Sequence, residues 1–165
     1  MKRKLCAAMA LLATMTVGAA VPRAETREEW ITLGARVHGG FGTFIPVGIR
    51  IGLDALDRLK AQPRDVTVTY FDSDKAPCAC IADGIMIATS ASPGQRSLHI
   101  SPEKAPPGAM AKVVIQHKKT GDAISYTVAE SWLPKLAEWN KALGMPARYD
   151  AVMAAEGLFE ATPAK

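Results

Sequence analysis

Residues 35 to 52 read ARVHGGFGTFIPVGIRIG. One helical pattern ends there at His38 and another opens at Pro46, with Gly39, Gly40 and Gly42 between them. Glycine adopts backbone angles that side chains resist, so the three suit a tight helix-to-helix corner with His38 at its rim. Upstream, Thr26 followed by Glu29 has the spacing of a capping box, and Trp30, Leu33 and Val37 fall on one face. The first helix is therefore expected over residues 27 to 38. Downstream, Ile45, Ile49, Leu53, Leu56 and Leu59 recur at helical spacing, while Arg50, Asp54 and Arg58 stand four apart on the outer face and can pair. Gly48 and Gly52 each cost that helix about 1 kcal/mol relative to alanine, which predicts something packed closely against them, a neighbouring helix ahead of a bound ligand.

A second stretch, APCACIADGIMIATSASPG over residues 76 to 94, has the same character, and the two are expected to face each other across one site. It follows an alternating segment, Val66 to Phe71, whose Val66, Val68 and Tyr70 share one side of a strand. Ile81 to Ala88 reads as a short buried helix opening just after Cys80, where a helix N-terminus favours the anionic form of a thiol. Ser90 to Gly94 breaks that helix, Leu98 to Ile100 is extended, and Pro102 to Gly108 forms a proline-rich loop. Lys112 to His117 and Ala123 to Val128 flank Thr120, Gly121 and Asp122, a hairpin signal. Ser131 is then expected to cap a helix carrying Trp132, Leu136, Trp139 and Leu143, ended by Gly144 and Pro146, with a further helix over residues 147 to 155. These elements predict an α+β fold, with helices packed on a mostly antiparallel sheet.

At the N-terminus, Lys2, Arg3 and Lys4 precede an apolar run from Leu5 to Ala20, with small residues at Gly18, Ala19, Ala20 and Ala24. This is the pattern of a secretory signal peptide, assigned to residues 1–24 with cleavage after Ala20 as the alternative to Ala24, so residues 25–165 are expected to form a single exported domain, periplasmic or secreted. Cys6 lies too early to be a lipoprotein cysteine, so no membrane anchor is expected after processing. Residues 1–24 hold four of the 20 Lys and Arg and none of the 16 Asp and Glu, which leaves 16 of each. The +4 net charge thus belongs to the leader, and a neutral processed chain gives no electrostatic case for binding nucleic acid or an anionic membrane.

The two marked stretches resemble the two motifs of the formylmethanofuran dehydrogenase E-subunit family. His38, Gly39, Gly48 and Arg50 match the first, a histidine-glycine pair followed by a helix with G-x-R; Cys80, Asp83, Gly84, Ile85, Thr89 and Gly94 match the second. The resemblance covers most of the processed chain. It implies a metal-binding α+β domain in which His38 and Cys80 are ligands. Three positions depart from the pattern: the family's second histidine and following cysteine are Gly40 and Gly42, and the cysteine of the second motif is Ala91. Cys78, absent from the usual pattern, is placed to replace a lost donor.

Zinc bound by thiolate and imidazole takes four ligands. His38, Cys78 and Cys80 supply three, leaving Asp83, a water or a partner molecule for the fourth. The bland alternative is that Cys78 and Cys80 form a disulfide or stay as buried thiols. Three functions follow from these residues. The chain binds a transition metal, zinc before copper, to hold or hand over; or it is a small-molecule binding module with a decayed metal site, its pocket formed by the glycine corner and Ser90 to Gly94; or it is a thiol-redox protein using Cys78 and Cys80. A homodimer is compatible with all three. No Ser-His-Asp order, paired-carboxylate signature or phosphate-binding glycine loop argues for an enzyme.

Overall fold

The computed structural model describes residues 25–164. The leader assigned to residues 1–24 lies outside the described residues. The helices are α1 (Arg27–His38), α2 (Phe44–Leu59), α3 (Cys80–Thr89), α4 (Leu133–Ala142) and α5 (Met145–Ala154). The strands are β1 (Val66–Phe71), β2 (Leu98–Ile100), β3 (Ala109–His117), β4 (Ala123–Ala129) and β5 (Glu160–Ala164). They form one sheet in the order β2-β1-β3-β4-β5, with β1 and β2 parallel and the other pairs antiparallel. The chain is α+β, as expected. Among the described residues, no helix is long and apolar enough to cross a membrane.

Alternation along the strands decides which face is covered. Val66, Val68 and Tyr70 of β1, Val113 and Ile115 of β3, and Tyr126 and Val128 of β4 are fully buried and pack with Val47, Ile51 and Ala55 of α2 and with Ile81 and Ile85 of α3. A second apolar cluster lies on the far side of these helices, where Trp30 and Ile31 of α1 meet Phe41, Ile45, Ile49, Cys80 and Ala88. The α2–α3 pair is therefore sandwiched between the sheet and α1. That explains why α2 is apolar nearly all round over its first three turns.

The glycines expected to admit a close neighbour do so, and the neighbour is α3. A Cβ on Gly48 would overlap the Ile81 carbonyl oxygen and stand 2.9 Å from Gly84 Cα, while one on Gly52 would come within 2.7 Å of Ala88 Cβ. Gly84 reciprocates, since a Cβ there would overlap the Ile45 carbonyl oxygen. Two helices thus run side by side in the same direction with backbones in contact.

Several local readings are corrected. Of the corner glycines, only Gly39 has a left-handed backbone (φ 84°), where it caps α1 through its N–H to Ala35 O. Arg50 does not pair on an outer face. Its guanidinium donates to the carbonyls of Val152 (2.8 Å) and Ala155 (2.5 Å) and lies 5.5 Å from the centroid of Phe159, which ties α2 to the C-terminal segment. Asp54 does pair with Arg58 (2.6 Å), and it also accepts from Tyr126 Oη (2.7 Å). Burial, with the bond to Asp54, holds the Tyr126 phenol proton well above its ordinary pKa. Ser131 caps no helix: residues 130–132 form a 3₁₀ turn, and α4 starts at Leu133 with Pro134 in its first turn. On α4 only Leu136 is fully buried; Trp132 and Trp139 are half-buried and meet each other at 6.4 Å. Gly144 and Pro146 open α5 rather than merely closing α4. β5 was not expected, because Pro163 argues against a strand; it is an edge strand, where a missing N–H costs nothing.

The α2–α3 contact makes a sharp prediction. Gly→Ala inside a helix ordinarily stabilises by about 1 kcal/mol. Gly84→Ala should instead destabilise by about 2 to 3 kcal/mol, because the methyl meets backbone that cannot step aside. Urea denaturation of the variant checks this; unchanged or increased stability would show that the helices are not in backbone contact.

Candidate metal centre

The β1–α3 connection carries the cysteines, and a buried serine shapes it. Ser73 Oγ donates to Met110 O (2.8 Å) and accepts from the N–H groups of Lys75 and Ala76 (both 3.3 Å), which fixes the turn against β3 before Cys78. Cys80 is the first residue of α3 and is buried, whereas Cys78, two residues earlier, is half-buried. The two sulfurs are paired as a disulfide, with Cα atoms 5.2 Å apart.

His38 arrives from the other direction as the last residue of α1, forty-two positions before Cys80. Its ring and the two sulfurs form one group whose donor atoms all lie within 4.8 Å of one another. Two bonds of about 2.3 Å end to end on a single ion span a similar distance, so small side-chain rotations would bring all three donors onto one centre once the cysteines are reduced. A nitrogen and two sulfurs are the donor set of a borderline or soft ion such as zinc or copper. These residues therefore fit a metal.

Asp83 takes a different place from the one its spacing suggests. It accepts a hydrogen bond from His38 Nδ1 at 2.7 Å and lies outside the three-donor group. It sits in the first turn of α3 and faces the C-terminal end of α1. With Nδ1–H committed to Asp83, Nε2 keeps the lone pair that a metal needs.

Three residues hold the corner, and no spacing in the chain singles them out. Arg148 of α5 donates to the carbonyls of Phe41 (3.0 Å) and Asn140 (2.7 Å). Asn140 Oδ1 accepts from Thr43 N (3.3 Å), and the buried Thr43 hydroxyl donates to Leu136 O (3.0 Å). The contacts to Phe41 and Thr43 join positions 93 to 107 residues apart, and only the folded chain brings them together.

The three positions at which the resemblance implied further donors separate into distinct cases. A Cβ on Gly40 meets nothing within 4 Å, so there is open space at the corner beside His38. A Cβ on Gly42 would stand 3.2 Å from Asn140 Oδ1. Ala91 is fully buried beyond the far end of α3, a helix that rises about 14 Å from Cys80 to Thr89, so a cysteine there would not join this donor group. The same separation corrects the pocket expected between the glycine corner and Ser90 to Gly94. Parallel α2 and α3 put those segments at opposite ends of the pair, and Thr89 O receives Arg64 N beyond the C-terminus of α2. Clefts of about 430 Å³ beside Glu28 and Leu33, and about 220 Å³ beside Pro107 and Phe159, share no residue with the donor group.

A glycine-packed helix pair over a five-stranded sheet, with a histidine and two cysteines at one end, defines a small α+β domain with a candidate metal centre. The family model described as "FmdE, Molybdenum formylmethanofuran dehydrogenase operon" matches residues 37–160, and the chain belongs to that family. No curated protein matches it.

If Asp83 orients His38, its effect on metal affinity should exceed its effect on folding. Asp83→Ala should weaken zinc binding by about 10- to 100-fold, and Asp83→Asn, which keeps an acceptor, by less. Competition with a chromophoric chelator reads the affinity and circular dichroism reads the fold; equal affinities in all three proteins would remove Asp83 from the site.

Proposed function

We propose that this chain is an exported metal-binding protein that carries one divalent transition metal, zinc foremost, on His38, Cys78 and Cys80. The observation that carries this reading is the convergence of three donors from two separate segments within 4.8 Å. Family membership supports it as well. When bound, the ion would act as a Lewis acid or as cargo. The residues have separable tasks: Cys78 and Cys80 supply charge that neutralises the cation, His38 supplies a neutral nitrogen, and Asp83 keeps that ring in the required tautomer.

Three protein donors leave zinc one position short of its usual four. Open space beside Gly40 supports water or a donor from a partner molecule in that position. A site that is incomplete without an outside ligand suits holding and handing over a metal better than a structural role. Export rests on the leader pattern of residues 1–24, and the charge balance of the remainder supports a partner other than nucleic acid.

Elemental analysis of the reduced, untagged protein recovered from its native compartment should find about one zinc per chain. His38→Ala and Cys80→Ser should each lower affinity by at least about 100-fold with the helical spectrum unchanged, and Gly40→His should raise it by supplying a fourth donor. Metal-free protein whose measured affinity is indifferent to both losses would refute the reading. A mature mass that retains Met1 would refute export.

A further inference from the structure

We propose that Cys78 and Cys80 form a redox gate on this centre: as two thiolates they hold the metal, and as a disulfide they release it. The proposal rests on the metal reading above and specifies its regulation. Its basis is that two arrangements of the same atoms share one place. The cysteines are paired with each other, and both belong to the donor group with His38. Their Cα separation of 5.2 Å lies inside the range that a disulfide spans without backbone movement, roughly 4.4 to 6.8 Å, so closure and opening require side-chain rotation alone. A C-x-C pair held on a turn pinned by Ser73 is thus preorganised for both states.

The states exclude each other. A disulfide sulfur has no anionic charge and is a poor ligand for a divalent ion, and closing the disulfide leaves His38 as the lone donor of the group, too few for tight binding. Metal binding and oxidation are therefore linked, and reciprocally so. Free zinc at 100 times its dissociation constant favours the dithiolate about 100-fold, equivalent to about 59 mV for a two-electron couple.

Exposure sets the order of events. Cys78 is half-buried and Cys80 is buried, so a small disulfide RSSR is reached by Cys78. Its thiolate attacks one sulfur of RSSR, forms the mixed disulfide and expels RS⁻. The Cys80 thiolate then attacks the Cys78 sulfur and expels the second RS⁻. Two protein thiolates lose two electrons, RSSR gains them, and the metal leaves as the same divalent cation. Excess RS⁻ reverses both exchanges and restores the two ligands.

The test uses the full processed chain, zinc-loaded and equilibrated in buffers of graded reduced-to-oxidised glutathione ratio. Released zinc is read with a chromophoric indicator, and disulfide is read by intact mass after alkylation, in the same samples. Zinc release should match disulfide formation one for one, and raising free zinc to 100 times its dissociation constant should shift the midpoint about 100-fold when it is expressed as the square of the reduced glutathione concentration over the oxidised. His38→Ala keeps both cysteines, so it should still close its disulfide, at a midpoint much less sensitive to zinc. Thiols that never pair over the whole range would overturn the gate while leaving the metal reading intact, and zinc retained after the disulfide closes would overturn the gate together with the assignment of the two cysteines as ligands. Failure of the reduced chain to bind zinc would overturn both.

Discussion

Gly48 and Gly84 bring α2 and α3 together backbone to backbone, and the geometry of the donor group depends on that contact. A side chain at either position would collide with a carbonyl oxygen of the other helix and force the pair apart. Cys80 and Asp83 lie in the first turn of α3, so displacing that helix carries both away from His38, which belongs to α1. The same close approach closes the interior between the sheet and α1, since Ile81 and Ile85 face one cluster while Cys80 and Ala88 face the other. Packing without gaps at the centre of the molecule is thus what holds three chemically useful atoms at its edge.

Electrostatics reinforce the arrangement. A cysteine and a carboxylate begin α3, where the helix dipole favours the negative charge that each carries as a metal ligand or as the partner of one. Cys80 is buried, and an anionic sulfur buried without a partner is costly. A coordinate bond to a cation and a covalent bond to Cys78 are two ways of removing that cost. The chain has the second in its present form, and His38 stands close enough to take part in the first.

Much of this was legible in the chain because short-range chemistry decides it. The Thr26–Glu29 capping box, the alternation of Val66, Val68 and Tyr70, and the turn residues around Gly121 mark their elements to within a few positions. Gly48 and Gly52 announced a close neighbour because glycine inside a helix needs a reason. What was not legible depends on partners far along the chain. Arg50 has apparent ion-pair partners at helical spacing yet bonds to carbonyls about a hundred residues away, and Arg148, Asn140 and Thr43 hold the corner through contacts that no local pattern encodes. Asp83 reads in the sequence as a fourth metal donor, but the chemistry of a carboxylate suits a ligand and a histidine partner equally; only the 2.7 Å contact to Nδ1 distinguishes them. β5 was hidden because Pro163 is prohibitive in a central strand and harmless at an edge.

X-ray absorption at the zinc edge of the reduced, zinc-loaded chain reads the atoms bound to the ion directly. Coordination by His38, Cys78 and Cys80 requires two sulfurs at about 2.3 Å and an imidazole nitrogen at about 2.0 to 2.1 Å, with one further light atom completing the shell. A shell of oxygen and nitrogen alone, or one with a single sulfur, would contradict it.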